Sequence, residues 1–331
     1  MKNIIPIFHC FDNNYVIPAA VAFYSLLENS NKEYYYELIV AHNNITEENQ
    51  EKLKKNIEKF ENGKIKFIKI DDFNLEWEKM GIKGHYSKEV LYKLRIPSIL
   101  KEYDKVIVAD VNVLYLSDIS KDFIEYISDE ENYLAGICGV EKISYIKKDY
   151  EKDFSKEEIE KLVIGGGYFF ANLKKMREDN IEEKFRKSLI ENSSRIRQAE
   201  QDILNLVCFP KIKKLPLRNM VCTYIYDLYD RNNIISEVNY NKKEIEEAYD
   251  LPVQLHYATS TKPWNNLKCT KSEIWFSYLS KTNFLKEFLW QLEEKIHPTY
   301  GGGVVKKLFK IFLPITSKRK IIITIEKFKK R

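Results

Sequence analysis

The chain has 331 residues and a formal net charge of +5, with 44% hydrophobic and 31% charged residues. That length allows one large domain with an appendage or two modest domains, and no run of 18 apolar residues predicts a membrane-spanning helix. Five Cys (10, 138, 208, 222 and 269), odd in number and without a C-x-x-C pair, argue against a disulfide framework and for the reduced thiols of a cytoplasmic protein.

In chain order, M-K-N-I-I-P-I-F opens with an apolar run too short for a signal peptide. Ile4–Phe11 reads as a buried first strand that stops at Asp12-Asn13-Asn14-Tyr15. Ile17–Leu27 follows as a helix and Tyr36–Val40 as a second strand. Thr46 caps a helix whose Leu53, Ile57 and Phe60 share one face. Ile65–Ile70 is a third strand, Ser87 opens a helix through Leu100, and Val106–Leu116 reads as one further strand. This alternation predicts an α/β fold with a largely parallel sheet.

Beyond Ser120 the order is less regular. It gives a strand at Leu134–Val140, a capping box at Ser155–Glu158, and Tyr168–Asn172 after three glycines. A long charged helix to about Asn192, a helix at Ala199–Val207 and a last strand at Val253–Tyr257 follow. Residues 271–297 read as amphipathic helix and Pro298–Gly303 as a hinge. The expected division is a body over 1–265, a helical extension over 266–300 and a basic tail over 301–331.

Two segments carry polar groups where an open α/β sheet places its ligands. Asp110 and Asn112 flank Val111, which on a continuous strand turns both toward one face. Two oxygen ligands there suit a divalent cation that bridges phosphates. A strand-end Asp that caps a neighbouring loop explains the tripeptide just as well. His256, at the end of the last strand, either completes a cation site or is a core histidine. Lys262, six residues on, suits diphosphate oxygens or belongs to a proline turn beside a packed Trp264.

Five segments in order, F-D-N-N-Y (11–15), H-Y-S-K-E-V-L-Y-K-L-R-I-P (85–97), Y-D-K-V-I-V-A-D-V-N (103–112), Q-D-I-L-N (201–205) and H-Y-A-T-S-T-K-P-W (256–264), resemble the family-eight glycosyltransferases. That family includes glycogenin and bacterial lipopolysaccharide galactosyl- and glucosyltransferases, and the resemblance runs over residues 4–264. It implies a GT-A fold, a nucleotide-sugar donor that is usually UDP-linked, and retention of anomeric configuration. It also implies that Cys10, Asp12, Asn14 and Tyr15 hold the uracil and ribose, and that His85 and Lys93 face the donor. Asp110 and Asn112, with Val111 between them, match the D-x-D metal site for Mn²⁺ or Mg²⁺, with His256 as the third protein ligand. Lys262 matches the lysine on the diphosphate. Glu200, Gln201 and Asp202 match an acidic-Gln-Asp run beside the donor sugar. Gln201 is a poor nucleophile, so the resemblance favours same-face attack with Gln201 stabilising an oxocarbenium-like centre; Asp202 serves equally as a helix cap.

Four positions depart from the family pattern. Asn112 replaces the second Asp, removing a negative charge while keeping a carbonyl oxygen. Lys93 replaces an Arg and loses its planar fork, with Arg95 two residues on as a substitute. Gly165-Gly166-Gly167 stands in place of Asn-Ala-Gly, and Thr259 in place of a glycine.

Ten Lys/Arg against Glu326 alone give residues 301–331 a balance of +9, so the preceding 300 residues stand near −4. Val304, Val305, Leu308, Phe309 and Phe312 form a helical stripe opposite Lys306, Lys307 and Lys310, a pattern suited to an anionic membrane surface. A solvated terminus is the plainer reading of the last ten residues, and no motif supports nucleic-acid binding. The expectation is a retaining transferase that moves glucose or galactose from a UDP-sugar to a surface-glycan or lipid-linked acceptor of the lipopolysaccharide or capsule type, at the cytoplasmic membrane face. The alternatives are a catalytically silent nucleotide-sugar-binding relative with a regulatory role and a membrane-peripheral scaffold.

Overall fold

The computed structural model of the protein describes residues 3–71, 88–140, 150–230 and 239–300; the expectations for His85 and for the 301–331 tail lie outside the described residues. The strands are β1 (Ile4–Cys10), β2 (Tyr35–His42), β3 (Gly63–Lys69), β4 (Lys105–Ala109) and β5 (Val113–Tyr115). They are followed by β6 (Leu134–Cys138), β7 (Ile164–Asn172), β8 (Ile212–Lys214), β9 (Val221–Cys222) and β10 (Gln254–His256). Seven of them form one sheet in the order β3–β2–β1–β4–β7–β6–β8, and β5–β10–β9 form a second. Strands β3, β2, β1 and β4 are mutually parallel, whereas β7 runs antiparallel to both β4 and β6. The α/β class with a mostly parallel sheet is as the sequence predicts.

Side-chain alternation divides these strands between two cores. Ile5, Ile7, Leu38, Val40, Ile107 and Phe170 enter one cluster, and Phe8, Ile39, Val106, Val108 and Phe169 enter the other. Burial on both faces explains why the parallel strands read as unbroken apolar runs. Strands β2 and β4 lie on opposite sides of β1. Their carboxyl ends therefore meet at a topological switch point, the crevice where open α/β sheets bind ligands. Asp12 follows β1 and Asp110 follows β4 at that crevice.

Several predicted elements differ in detail. Val106–Leu116 is not one strand: Asp110-Val111-Asn112 is a turn between β4 and β5, which belong to different sheets. The proximity of Asp110 and Asn112 therefore comes from a turn and not from strand alternation. The expected helix to Leu100 is a 3-10 helix, Lys88–Arg95, followed by a single α turn, Ile96–Ile99. The glycines at 165–167 lie inside β7 and not before it. The long charged helix is broken by Asn180, whose φ of 51° ends Leu173–Glu178 and starts Ile181–Asn192. Residues 271–297 form two helices, Ser272–Leu279 and Leu285–Tyr300; the second runs through Pro298, and the remainder of the expected hinge, 301–303, lies outside the described residues.

Asn205, on the helix Ala199–Cys208, pins that helix to the start of β7. Its carboxamide oxygen accepts from the Val163 and Ile164 amides, both at 2.9 Å, and its NH₂ donates to the Ile164 and Gln201 carbonyls at 2.8 Å. Asn205→Ala strips four bonds from a buried position, and unsatisfied groups there cost about 1–3 kcal/mol each. Urea unfolding should show a loss of about 3 kcal/mol, and Asn205→Asp, which turns an oxygen toward the Ile164 and Gln201 carbonyls, should not recover it. Equal, near-zero effects for both variants would mean that Asn205 is not the pin.

Candidate active site

The start of β7 bears three glycines, and at 166 and 167 the site leaves no room for a side chain. A Cβ on Gly167 would lie 2.5 Å from His256 Cε1 and 3.2 Å from Asp110 Oδ2; one on Gly166 would lie 3.2 Å from Glu200 Oε1. These residues are held together by backbone pairing. The Asp110 amide donates to the Gly167 carbonyl at 2.8 Å. Opposite it, β10 pairs antiparallel with β5 so that His256 faces Val113, and the Tyr257 amide donates to the Asn112 carbonyl at 3.0 Å. That register, long-range in sequence, brings His256 Nε2 to 3.6 Å from Asp110 Oδ2.

Lys93 projects from the 3-10 helix into the middle of this group with only 2% of its side chain exposed. Its ammonium donates to Asp110 Oδ1 and Glu200 Oε1, both at 2.7 Å, and to the Gly166 carbonyl at 2.9 Å. Burial alone would lower the Lys93 pKa, but the Asp110 and Glu200 carboxylates reverse this and hold it above the ordinary lysine value. Against the opposing pull of burial, Lys93, His256 and Lys262 keep Asp110 below the usual carboxylate range. Burial raises Glu200, with Lys93 opposing. Arg95, the expected substitute for the missing guanidinium, instead exerts its charge on Glu182.

The Gln201 oxygen accepts from the Gly166 amide at 2.8 Å, and its NH₂ has no partner among the described residues. Ala199 precedes this pair at a φ of 44°, a left-handed conformation costly for a residue with a Cβ. Asp202 stabilises the turn that leads into it. One oxygen accepts from the Arg197 and Gln198 amides at 2.7 and 3.0 Å, and the other accepts from the Tyr150 hydroxyl. Asp202 thus serves the chain as a cap, while Glu200 and Gln201 face the glycines.

His256 is buried, and that burial lowers its pKa to about 4; the pull of Asp110 opposes, and Lys262 and Lys93 contribute. It is neutral at pH 7, and its Nε2 makes no hydrogen bond. On its other side Nδ1 lies 3.9 Å from Cys222 Sγ. Asn112 Nδ2 donates to the Tyr257 carbonyl at 3.1 Å, which leaves Oδ1 as its ligand atom. The Lys262 ammonium donates to the same carbonyl, and burial lowers its pKa. An orphaned buried imidazole nitrogen beside a carboxylate oxygen fits a divalent cation, with a carboxamide oxygen as a third donor. Among the described residues no group of three or more His, Cys, Asp or Glu converges.

The segment after β1 forms the remaining wall. Cys10 is buried at the strand end, where burial pushes its thiol up. Asp12 accepts from the Asn14 amide at 2.9 Å and from its side chain at 3.1 Å, capping the turn Asn13–Tyr15. Tyr15 sets its ring against Trp264 at 6.1 Å, edge to face. Its hydroxyl is pushed up by burial and then by Asp110 and Asp12. Val111 is buried. The structure thus brings Asp110, Asn112, His256, Lys262, Lys93, Glu200 and Gln201 together and gives Asp202 a local role. Sequence reasoning quoted Asn205 without a role and did not single out Cys222; neither carries a signal until β9, β10 and the helix Ala199–Cys208 are packed.

The sequence profile "Glycosyl transferase family 8" matches residues 6–268. General stress protein A of Bacillus subtilis (strain 168) is 26% identical over 291 residues, 85% of this chain and 95% of that protein. Among solved structures, the galactosyltransferase LgtC in complex with donor and acceptor sugar analogues aligns with a TM-score of 0.67 at 17% identity, covering 84% of this chain and 96% of that one. The bifunctional glycosyltransferase WbbM aligns at 0.70 and 19% identity over 87% of this chain, which spans about half (51%) of WbbM. At such identities the structural likeness establishes the GT-A-like fold alone. The profile match, spanning β1 to the loop beyond β10, establishes the family: the chain belongs to glycosyl transferase family 8 and is a glycosyltransferase.

Proposed function

We propose that this glycosyltransferase moves a hexose, glucose or galactose, from a UDP-sugar to a surface-glycan or lipid-linked acceptor with retention of configuration. Enzymes of family 8 generally use a nucleotide-sugar donor and a divalent metal. Here Asp110, His256 and the Asn112 carbonyl oxygen would hold Mn²⁺ or Mg²⁺. The observation that supports this most is the unpartnered, buried His256 Nε2 facing Asp110.

Departure of a sugar leaves negative charge on the diphosphate, which the bound cation would offset as a Lewis acid. Lys262 adds a second positive charge on the same side of the crevice. Lys93 holds Asp110 and Glu200 in place, and Gln201, fixed by the Gly166 amide, presents its carboxamide to the sugar. A carboxamide is a poor nucleophile, so same-face attack with the leaving phosphate as base suits this site better than a covalent intermediate. The uracil and ribose would lie on Cys10, Asp12, Asn14 and Tyr15. His85 would face the donor as well, and it lies outside the described residues.

One observation favours the second reading, a nucleotide-sugar-binding relative without turnover: Asn112 brings no charge, and its NH₂ is committed to Tyr257. A hydrolysis screen of UDP-sugars with and without Mn²⁺ separates the two. The enzyme should release UDP only with metal, and Gly167→Ala, which drives a methyl into His256, should slow release on the order of 10²-fold. Binding of UDP without release from any donor would instead favour the silent relative. Absence of nucleotide binding would leave the scaffold.

The basic stripe of residues 304–331 supports a peripheral position on an anionic membrane at the cytoplasmic face, where lipid-linked acceptors reside. No helix among the described residues is long and apolar enough to cross a membrane. Truncation after Gly303 should abolish co-sedimentation with phosphatidylserine-containing liposomes and leave UDP affinity unchanged. Retained sedimentation would remove the tail from membrane binding.

A further inference from the structure

The charge balance around Lys93 bears on the order in which metal and donor enter, an inference that rests on the donor reading above. An ammonium has three donors and no acceptor. Those of Lys93 are all used, on two carboxylates and a carbonyl, at 2.7 to 2.9 Å and with 2% of the side chain exposed. A compact, fully coordinated cation therefore already sits between Asp110 and Glu200. The usual second carboxylate at position 112 is a neutral amide, and His256 offers a buried imidazole nitrogen without a hydrogen-bond partner. Within this cluster the carboxylates of Asp110 and Glu200 are offset by Lys93 and Lys262.

A divalent cation arriving alone would meet one carboxylate already paired on its other oxygen, one imidazole and one amide. Two ammonium groups would repel it. Arriving on a diphosphate, it brings two to three negative charges that satisfy both itself and Lys262. We propose that Lys93 is a built-in counter-ion, a positioning residue that offsets the Asp110 and Glu200 carboxylates in the nucleotide-free site, so that the divalent cation is taken up with the nucleotide diphosphate and not before it. An arginine at the same position would spread its charge over a planar fork; the lysine concentrates it at one point between the two carboxylates.

The experiment is a Mn²⁺ titration of the full chain, following free Mn²⁺ by its EPR signal, without nucleotide and with saturating UDP. Equilibrium dialysis of labelled UDP with and without Mn²⁺ accompanies it. UDP should raise Mn²⁺ affinity at least tenfold, and by linkage Mn²⁺ should raise UDP affinity by the same factor. Lys93→Met frees Asp110 and Glu200 and should create Mn²⁺ uptake without nucleotide, an effect that a purely structural lysine would not produce. Lys93→Arg should restore the requirement for UDP. If Lys93→Met does not fold, Asn112→Asp decides, since an added carboxylate on the turn should likewise permit uptake of the metal alone. Equal Mn²⁺ affinity with and without UDP in the unmodified chain overturns the inference, as does a failure of both folded variants to gain nucleotide-free uptake. No UDP binding under either metal condition overturns the donor reading itself, whereas UDP binding together with tight Mn²⁺ uptake in its absence overturns only the order of entry.

Discussion

Burying an ammonium ion is unfavourable unless its charge and all its donors are matched, and the Lys93 site meets that condition with groups from three separate parts of the chain. Asp110 comes from the turn after β4, Gly166 from β7 and Glu200 from the helix Ala199–Cys208. Each must be in register before the lysine can be buried, so the ion group also locks the elements that carry it. The glycines of β7 follow from the same constraint, since a side chain at 166 or 167 would occupy the space of Glu200 or His256.

The chemistry of the site grows from what Lys93 leaves over. One oxygen of Asp110 is spent on the ammonium, and the other faces an imidazole that burial keeps neutral. A neutral imidazole and a carboxylate oxygen are ligand atoms for a hard or borderline cation. Lys262, partly desolvated with its own pKa lowered, adds a cation suited to phosphate oxygens. In the family the sugar–diphosphate bond is the one that breaks, and these groups stand at the switch point between β1 and β4 where an open α/β sheet receives such ligands.

Much of this was legible in the sequence, and the parts that were not have definite physical causes. The strand–helix alternation up to β4 is written in continuous apolar runs, because parallel strands are buried on both faces. The break at Asp110 was hidden, because V-I-V-A-D-V-N-V-L-Y has β-branched residues on both sides and nothing local marks the change of sheet. Strand β7 was shortened because glycine weakens a strand, while pairing with β4 and β6 overrides that preference. Lys93, by resemblance, was expected to face the donor. Its partners lie 17, 73 and 107 residues away, and only the packed structure shows it turned toward carboxylates. His256 and Lys262 stood out because their segment, H-Y-A-T-S-T-K-P-W, keeps both in one short run.

The proposed chemistry requires a cation shared between Asp110, His256 and a nucleotide diphosphate. Electron–nuclear double resonance on Mn²⁺ bound to the protein with UDP reads that arrangement directly. Coupling to ³¹P and to an imidazole ¹⁴N should appear together, and the nitrogen coupling should vanish in His256→Gln while the phosphorus coupling remains. Phosphorus coupling without nitrogen in the unmodified chain would contradict the account, because it would place the metal on the nucleotide and away from His256.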